Sequence, residues 1–383
     1  MGAHHGSIRV IRHTARPQLL GTLSLGRAAT TSRVLALLIL LYLFILSITL
    51  LSASFKLFGA EHTDRIFHAT ENPLTGLMIG ILGTSIIQSS STTTSLVVGL
   101  VASGLIGYGS AIPMIMGANI GTSITNTLVS LGHVSRREEF RRAFEASIVH
   151  DFFNLCAVAV LFPLQVRFNL IGASATYLER LAIGFEGMTF HSPLATITKP
   201  VAAWIIHATG ESAWLSTTVA CVLLFLALNN IVRVLKAMVL RKVERFFQRY
   251  IFRTGALGFL VGIGLTVMVQ SSSITTSLVV PLVGAGVLTV RQVYPYLLGS
   301  NIGTTITAFL ASFVTGSPQA VAVAFAHLLF NSFGILIFWP LKRIPLFLSS
   351  GLASWTVRSR LITVAYIVIV FFVVPSCIIF FTR

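Results

Sequence analysis

The sequence predicts an all-α polytopic membrane protein of two inverted repeats, each with a re-entrant helical hairpin. Three observations predict it. Long tracts lack charge, basic residues are confined between those tracts, and two polar strings recur at one shared offset. Of the 383 residues, 55% are hydrophobic and 10% charged, against about a quarter charged in a soluble globular chain. Val34–Phe55 and Ala213–Val232 contain no Asp, Glu, Lys or Arg, and neither do the longer tracts Asn72–Ser135, Thr254–Val290 and Gln292–Leu341. A helix crosses ~30 Å of hydrocarbon in about 20 residues, so several crossings are required.

The net charge of +16 raises nucleic-acid binding, and the distribution of that charge argues against it. Arg9, Arg12, Arg16, Arg27 and Arg33 precede the first apolar span, and Arg136, Arg137, Arg141 and Arg142 follow another. A third cluster holds Arg233, Lys236, Arg241, Lys242, Arg245, Arg249 and Arg253, and a smaller one Arg358 and Arg360. This is the positive-inside pattern of cytoplasmic loops, where basic residues meet anionic lipid headgroups. The partners expected from composition are therefore membrane lipid and no nucleic acid, in a multi-pass protein of the cell membrane. Cys156, Cys221 and Cys377 lie inside apolar spans and read as small buried hydrophobes, with no disulfide or metal framework.

Taken in order, residues 1–33 read as a retained basic cytoplasmic tail, because the apolar span that follows is too long for a signal-peptide core. Residues 34–165 hold the first span and repeat 1, with its hairpin at 73–104. Residues 166–212 form an extracytoplasmic central segment, and 213–345 hold repeat 2, with its hairpin at 255–286. Residues 346–383 form an interfacial segment and a last span.

The repeat rests on two strings. Gln88-Ser-Ser-Ser-Thr-Thr-Thr-Ser95 recurs as Gln270-Ser-Ser-Ser-Ile-Thr-Thr-Ser277, and Gly117-Ala-Asn-Ile-Gly-Thr122 recurs as Gly299-Ser-Asn-Ile-Gly-Thr304, both displaced by 182 residues. Pro113 and Pro295 match at that offset, as do Gly76 and Gly258. His150-x-x-x-Asn154 and His327-x-x-x-Asn331 form a weaker third element with a shorter spacer. Three spans, near 111–131, 143–165 and 213–240, separate the two Gln-Ser-Ser-Ser strings. An odd number of crossings turns the second copy upside down, the arrangement of carriers whose site lies at the repeat interface.

Consecutive polar residues at bilayer depth are costly unless they find partners or line a wet cavity, and eight in a row leave no stripe for lipid. A chain that opens at Gln-Ser-Ser-Ser between two half-helices fits better than one continuous helix. The second half-helix then presents free N–H groups and a partial positive charge, a ready anion site. Gln, Asn and hydroxyl oxygens suit a small alkali cation. Neither hairpin contains Arg or Lys, so a divalent anion there needs cations nearby. At ~4 Å and an effective dielectric of ~20, one cation contributes roughly 4 kcal/mol of attraction before desolvation, a physical basis for coupled transport.

Bland readings stand beside these. Ser/Thr runs and intramembrane Asn often serve only helix packing, and Asn154 and Asn331 read better as interhelical hydrogen bonds than as ligands. His150-Asp151 is either functional intramembrane charge or a cap. His327 matches His150, but Leu328 stands where Asp151 does.

The strings Gln88–Ser95, Pro113–Thr127, Phe140–Asn154, Gln270–Ser277 and Gly299–Thr307 resemble the type II sodium-dependent phosphate cotransporter family, bacterial members above all. The resemblance spans about 70–340. It implies cotransport of sodium with inorganic phosphate by alternating access, with no enzymatic activity and no cofactor besides sodium as coupling ion. It implies that Ser89, Ser90, Ser91, Ser271, Ser272 and Ser273 face phosphate. Sodium would meet Gln88, Thr92, Asn119, Thr122, Gln270, Asn301 and Thr304. A sodium-coupled carrier of another oxyanion or a dicarboxylate, an intramembrane serine hydrolase and a passive channel are the competing readings. The sequence leaves the oligomeric state open.

Overall fold

The computed structural model describes residues 18–59, 64, 68, 70–133, 135–183, 193–247, 254–356 and 359–382. Every regular element among them is helical, as hydrocarbon demands of a chain that must satisfy its backbone within each segment. Among the described residues, six helices are long and apolar enough to cross a membrane: Thr31–Phe58, Arg137–Phe168, Ala213–Lys236, Val290–Thr315, Pro318–Phe338 and Leu361–Phe381.

The first copy begins with α1 (Gln18–Phe55) and continues through α2 (Pro73–Ile87), α3 (Ser90–Ser103), α4 (Tyr108–Gly121), α5 (Ile124–Ser130) and α6 (Arg137–Phe168). Two helices, α7 (Leu170–Ile183) and α8 (Pro193–Ala208), occupy the central segment. The second copy runs through α9 (Ala213–Phe247), α10 (Gly255–Val269), α11 (Ser272–Ser277), α12 (Val279–Gly284), α13 (Val290–Thr315) and α14 (Pro318–Phe338). An amphipathic α15 (Arg343–Thr356), then α16 (Leu361–Val368), a π turn at Ile369–Val373 and α17 (Val374–Phe381) complete the chain.

Helices α2 and α10 each have 15 residues, or about 22 Å at 1.5 Å per residue, too short to cross ~30 Å of hydrocarbon. Instead of continuing, the chain turns back. A Cβ built on Gly83 of α2 would lie 4.0 Å from the Thr93 methyl of α3, whereas ten residues of straight helix would separate them by about 15 Å.

Glycine then brings backbones into contact. A Cβ on Gly80 would overlap the Met114 carbonyl and one on Gly117 the Leu77 carbonyl, so α2 and α4 interlock in both directions. In the second copy, Gly262 meets the Tyr296 carbonyl and Gly299 the Phe259 carbonyl, locking α10 to α13. All four pairs correspond at the 182-residue offset, so the sequence repeat is also a repeat of packing geometry.

The second arms reach across. Helix α3 packs on α13 and α14 of the second copy, while α11 and α12 pack on α5 and α6 of the first. The main core consequently draws from both copies, with Leu77, Met116 and Phe153 in one cluster with Val279, Tyr296 and Phe330.

One expected span is divided. Residues 111–131 form α4 and α5 with Thr122 and Ser123 between them, whereas the matching stretch of α13 is continuous. The Ser123 hydroxyl bonds the His150 ring (2.9 Å), while its counterpart Thr305 bonds back to the Ile302 carbonyl (2.7 Å) and stays within its helix.

Gly117→Ala and Gly299→Ala are each expected to destabilise the folded protein by about 1–3 kcal/mol through overpacking. Gly264→Ala, where a Cβ meets nothing within 4 Å, is expected to be neutral or to gain up to about 1 kcal/mol of helix propensity. Thermal unfolding in detergent, followed by loss of the monodisperse elution peak, reads both.

Candidate functional site

Each hairpin breaks at one Gln-Ser pair, with nearly identical geometry. Gln88 (φ 57, ψ 26) and Gln270 (φ 56, ψ 27) close the first arm in the left-handed region, their N–H groups bonding Thr84 and Thr266 carbonyls at 2.7 Å. Glycine is the usual occupant of such a position, since a side chain there is strained. Glutamine adds an amide at the break, which glycine cannot. Ser89 (φ −147, ψ 102) and Ser271 (φ −152, ψ 109) are extended and cap the second arm, accepting from Thr92 N–H and Ile274 N–H. Thr93 and Thr275 each bond back to the capping residue's carbonyl.

The sequence-predicted serines thus divide. Ser89 and Ser271 place their hydroxyls on their own helix. The hydroxyls and N–H groups of Ser90, Ser91, Ser272 and Ser273 make no hydrogen bond among the described residues, although all four residues are buried. Thr84 and Thr266, which occupy the same position in the last turn of each first arm, also hold buried hydroxyls without a partner. These two threonines were missed from the sequence, although their identity at the repeat offset is visible there. Each break therefore joins the negative end of one helix to the positive end of another, near the threonine oxygens that have no hydrogen-bond partner.

Asn119 and Asn301 belong to a separate buried network between the copies. His327 Nε2 lies 3.4 Å from Asn119 Oδ1, and Asn331 Nδ2 donates to the same oxygen (3.3 Å). Across the repeat, His150 Nε2 bonds Asn301 Oδ1, and Asn301 Nδ2 donates to Asn154 Oδ1 (3.1 Å). Asn154 Nδ2 donates to the Asn119 carbonyl (2.9 Å), which closes the set. Each asparagine of the Gly-x-Asn-Ile-Gly motif is held by the His and Asn of the opposite copy, so Asn154 and Asn331 act as interhelical bonds. Thr122 and Thr304 bond back to the Ala118 and Ser300 carbonyls in the same way. Among the described residues, neither Asn119 nor Asn301 bonds a hairpin.

The copies differ at three places. Gln270 is held: its Oε1 accepts from Thr307 (2.8 Å) and its Nε2 donates to the Val267 carbonyl (2.7 Å). Gln88 is exposed, and the Thr307 counterpart, Thr125, has a buried hydroxyl without a partner. Asn126 accepts from Thr276 and Ser277 of the opposite hairpin, both at 2.9 Å. Its counterpart is Ala308, and the hydroxyl of Ser95, which matches Ser277, is correspondingly unpartnered. Finally, only the first copy has Asp151. This carboxylate is fully buried, with one oxygen 3.0 Å from the Tyr366 hydroxyl on α16 and the other without a partner. Phe144, Phe152 and Phe371 surround the Tyr366 ring.

A profile of the family described as Na+/Pi-cotransporter matches residues 43–190 and 223–344. The chain is similar to sodium-dependent phosphate transport protein 2A of Ovis aries, 34% identical over 92% of this chain and 68% of that protein. It is also similar to sodium-dependent phosphate transport protein 2B of Homo sapiens, 32% identical over 90% of this chain and 64% of that protein. The chain spans about two thirds of the length of these relatives. No solved structure matches it.

Removing one member of the buried network leaves others orphaned, at about 1–3 kcal/mol per unsatisfied group. Asn301→Ala strips His150 and Asn154 of partners and is expected to lower the unfolding midpoint clearly. Asn230→Ala, whose amide bonds only within its own helix, donating to the Leu226 carbonyl (2.8 Å) and accepting from Arg233 (3.5 Å), is expected to leave it nearly unchanged. Thermal unfolding in detergent compares the two.

Proposed function

Since the chain belongs to the Na+/Pi-cotransporter family, we propose that it carries inorganic phosphate into the cell coupled to sodium moving down its gradient, by alternating access. The observation that carries this reading is the matched pair of left-handed breaks at Gln88-Ser89 and Gln270-Ser271. Each offers unbonded N–H groups and hydroxyls on one side, and an unbonded threonine oxygen and an amide on the other.

Phosphate takes the N-terminal ends of α3 and α11, where Ser90, Ser91, Ser272 and Ser273 donate from backbone and hydroxyl. Sodium takes the oxygen side: the Gln88 and Gln270 amides, Thr84 and Thr266, and carbonyls at the end of each first arm. Asp151 adds a buried carboxyl group, and its unpartnered oxygen suits a further cation. Asn119, Asn301, Thr122 and Thr304 act one layer back, as the frame against which the hairpins are held. No Arg or Lys enters either hairpin, so phosphate binds well only when sodium is present.

The two copies lie in opposite orientations, with the basic loops cytoplasmic. The held state of Gln270 and the free state of Gln88 are then two stages of one cycle. When access switches, Gln88 engages Thr125 as Gln270 leaves Thr307.

The hydrolase reading finds little support. The His150 ring meets Ser123, which is 0% exposed, and Asp151 bonds Tyr366. No Ser–His–Asp relay forms among these residues.

In proteoliposomes, labelled phosphate is expected to accumulate with an inward sodium gradient and to fail to do so when potassium replaces sodium. Arsenate is expected to compete, and sulfate and succinate are not; competition by succinate would favour a dicarboxylate carrier. Gln88→Ala and Gln270→Ala are each expected to abolish sodium-dependent uptake with insertion intact, and normal transport by both would remove the site assignment.

A further inference from the structure

Away from the hairpin breaks, a cavity of about 1050 Å³ opens where α6, the exit of the second hairpin and α15 converge. Its lining is unusually cationic: Arg141, Arg142, Arg291, Lys342 and Arg343 against the single carboxylate Glu145. Glu145 does not neutralise the set, because it and Glu138 both bond Arg141, at 3.2 and 3.1 Å. Arg142, Arg291, Lys342 and Arg343 have no carboxylate within ion-pair distance among the described residues. Arg142 is held in place by its Nε donating to the Gly284 carbonyl (3.0 Å), which leaves its other nitrogens for a ligand. Four like charges around one cavity repel each other unless an anion joins them.

The cavity's outer wall says what kind of anion. On α15, Pro345, Ser349, Ala353 and Thr356 face inward and are buried, while Ile344, Phe347, Leu348 and Trp355 are exposed, Phe347 by 76%. This reverses a soluble surface helix, where the apolar stripe faces the core; a helix in the membrane interface lays its apolar face on lipid. Phe347 itself lines the cavity, so cationic and lipid-facing surfaces meet at its mouth.

We propose that this cavity binds the phosphomonoester headgroup of an anionic lipid, its acyl chains lying along the exposed face of α15. The volume exceeds what inorganic phosphate fills and lies near the upper end of small-ligand sites, and basic pockets between membrane helices take such headgroups. The ligand clamps α6 of the first copy to the hairpin exit of the second. The assignment is independent of the transport reading: Val283 and Gly286 at the exit of the second hairpin line the cavity, but none of the residues at the two hairpin breaks does.

The test is native mass spectrometry of the full-length chain. The protein is exchanged from phosphatidylcholine micelles doped with either phosphatidic acid or a phosphatidylinositol bisphosphate. The protein is expected to retain the anionic lipid in at least about tenfold preference over phosphatidylcholine. The combined variant Arg291→Gln, Lys342→Gln, Arg343→Gln is expected to lose about tenfold or more of that retention. Arg291→Lys with Arg343→Lys is expected to keep most of it, which separates charge from folding. Inositol trisphosphate, which has the headgroup without chains, is expected to displace the lipid. Millimolar inorganic phosphate binding with the same Arg and Lys dependence, and no lipid retained, would assign the chemistry to free phosphate. Equal retention of both lipid classes by the unmodified chain, or an anionic preference undiminished in the neutralised variant, overturns the proposal.

Discussion

Polar groups in hydrocarbon must be paired, and that constraint organises this molecule. Amides, hydroxyls and imidazoles pass through apolar tracts where water cannot serve them, so each finds a protein partner or waits for a ligand. The Asn119, Asn154, Asn301 and Asn331 amides, with His150 and His327, bond mostly to one another, although His327 Nδ1 and Asn331 Oδ1 have no partner among the described residues. Ser90, Ser91, Ser272, Ser273, Thr84 and Thr266 do not, and they collect at the two places where the backbone is also open. On the proposed function, the bonded groups build the frame and the unbonded ones at the two breaks receive the ions.

The frame explains how such breaks persist. A left-handed glutamine is strained, and strain is held only where surrounding structure over-determines it. Here the over-determination is the backbone contact at Gly80 and Gly117, and again at Gly262 and Gly299, which leaves no slack between the first arm and its neighbour. Because each second arm packs on the opposite copy, movement at one break reaches the other copy's helices directly. On the proposed cycle, the unequal states of Gln88 and Gln270 are one state of a two-state element, in copies that also differ at Asn126 and Ala308.

Much of this was legible in the residues. The 182-residue offset tied Gln88 to Gln270 and Asn119 to Asn301, and eight consecutive polar residues implied a broken helix. The interhelical role of Asn154 and Asn331 followed from polar side chains in apolar spans. What was not legible depended on tertiary contact. Asn126 looks unremarkable until α5 meets the second hairpin, and its replacement by Ala308 in the other copy breaks the symmetry. The division of 111–131 at Thr122 and Ser123 depends on a histidine 27 residues away. The central segment, expected only as an extracytoplasmic stretch, folds as two amphipathic helices, α7 against α14 and α8 against α1. Asn119 and Asn301, expected to meet sodium, also bond the histidines and asparagines of the opposite copy, contacts that only tertiary structure reveals.

The central claim is that phosphate binding itself depends on sodium, because the open helix ends offer dipoles but no fixed cation. Equilibrium dialysis of labelled phosphate against the purified protein tests this without any transport step. Binding is expected to be saturable in sodium and to weaken by about tenfold or more when potassium replaces it, since one nearby cation contributes kilocalories of attraction. Equal phosphate affinity in the two salts would contradict the account.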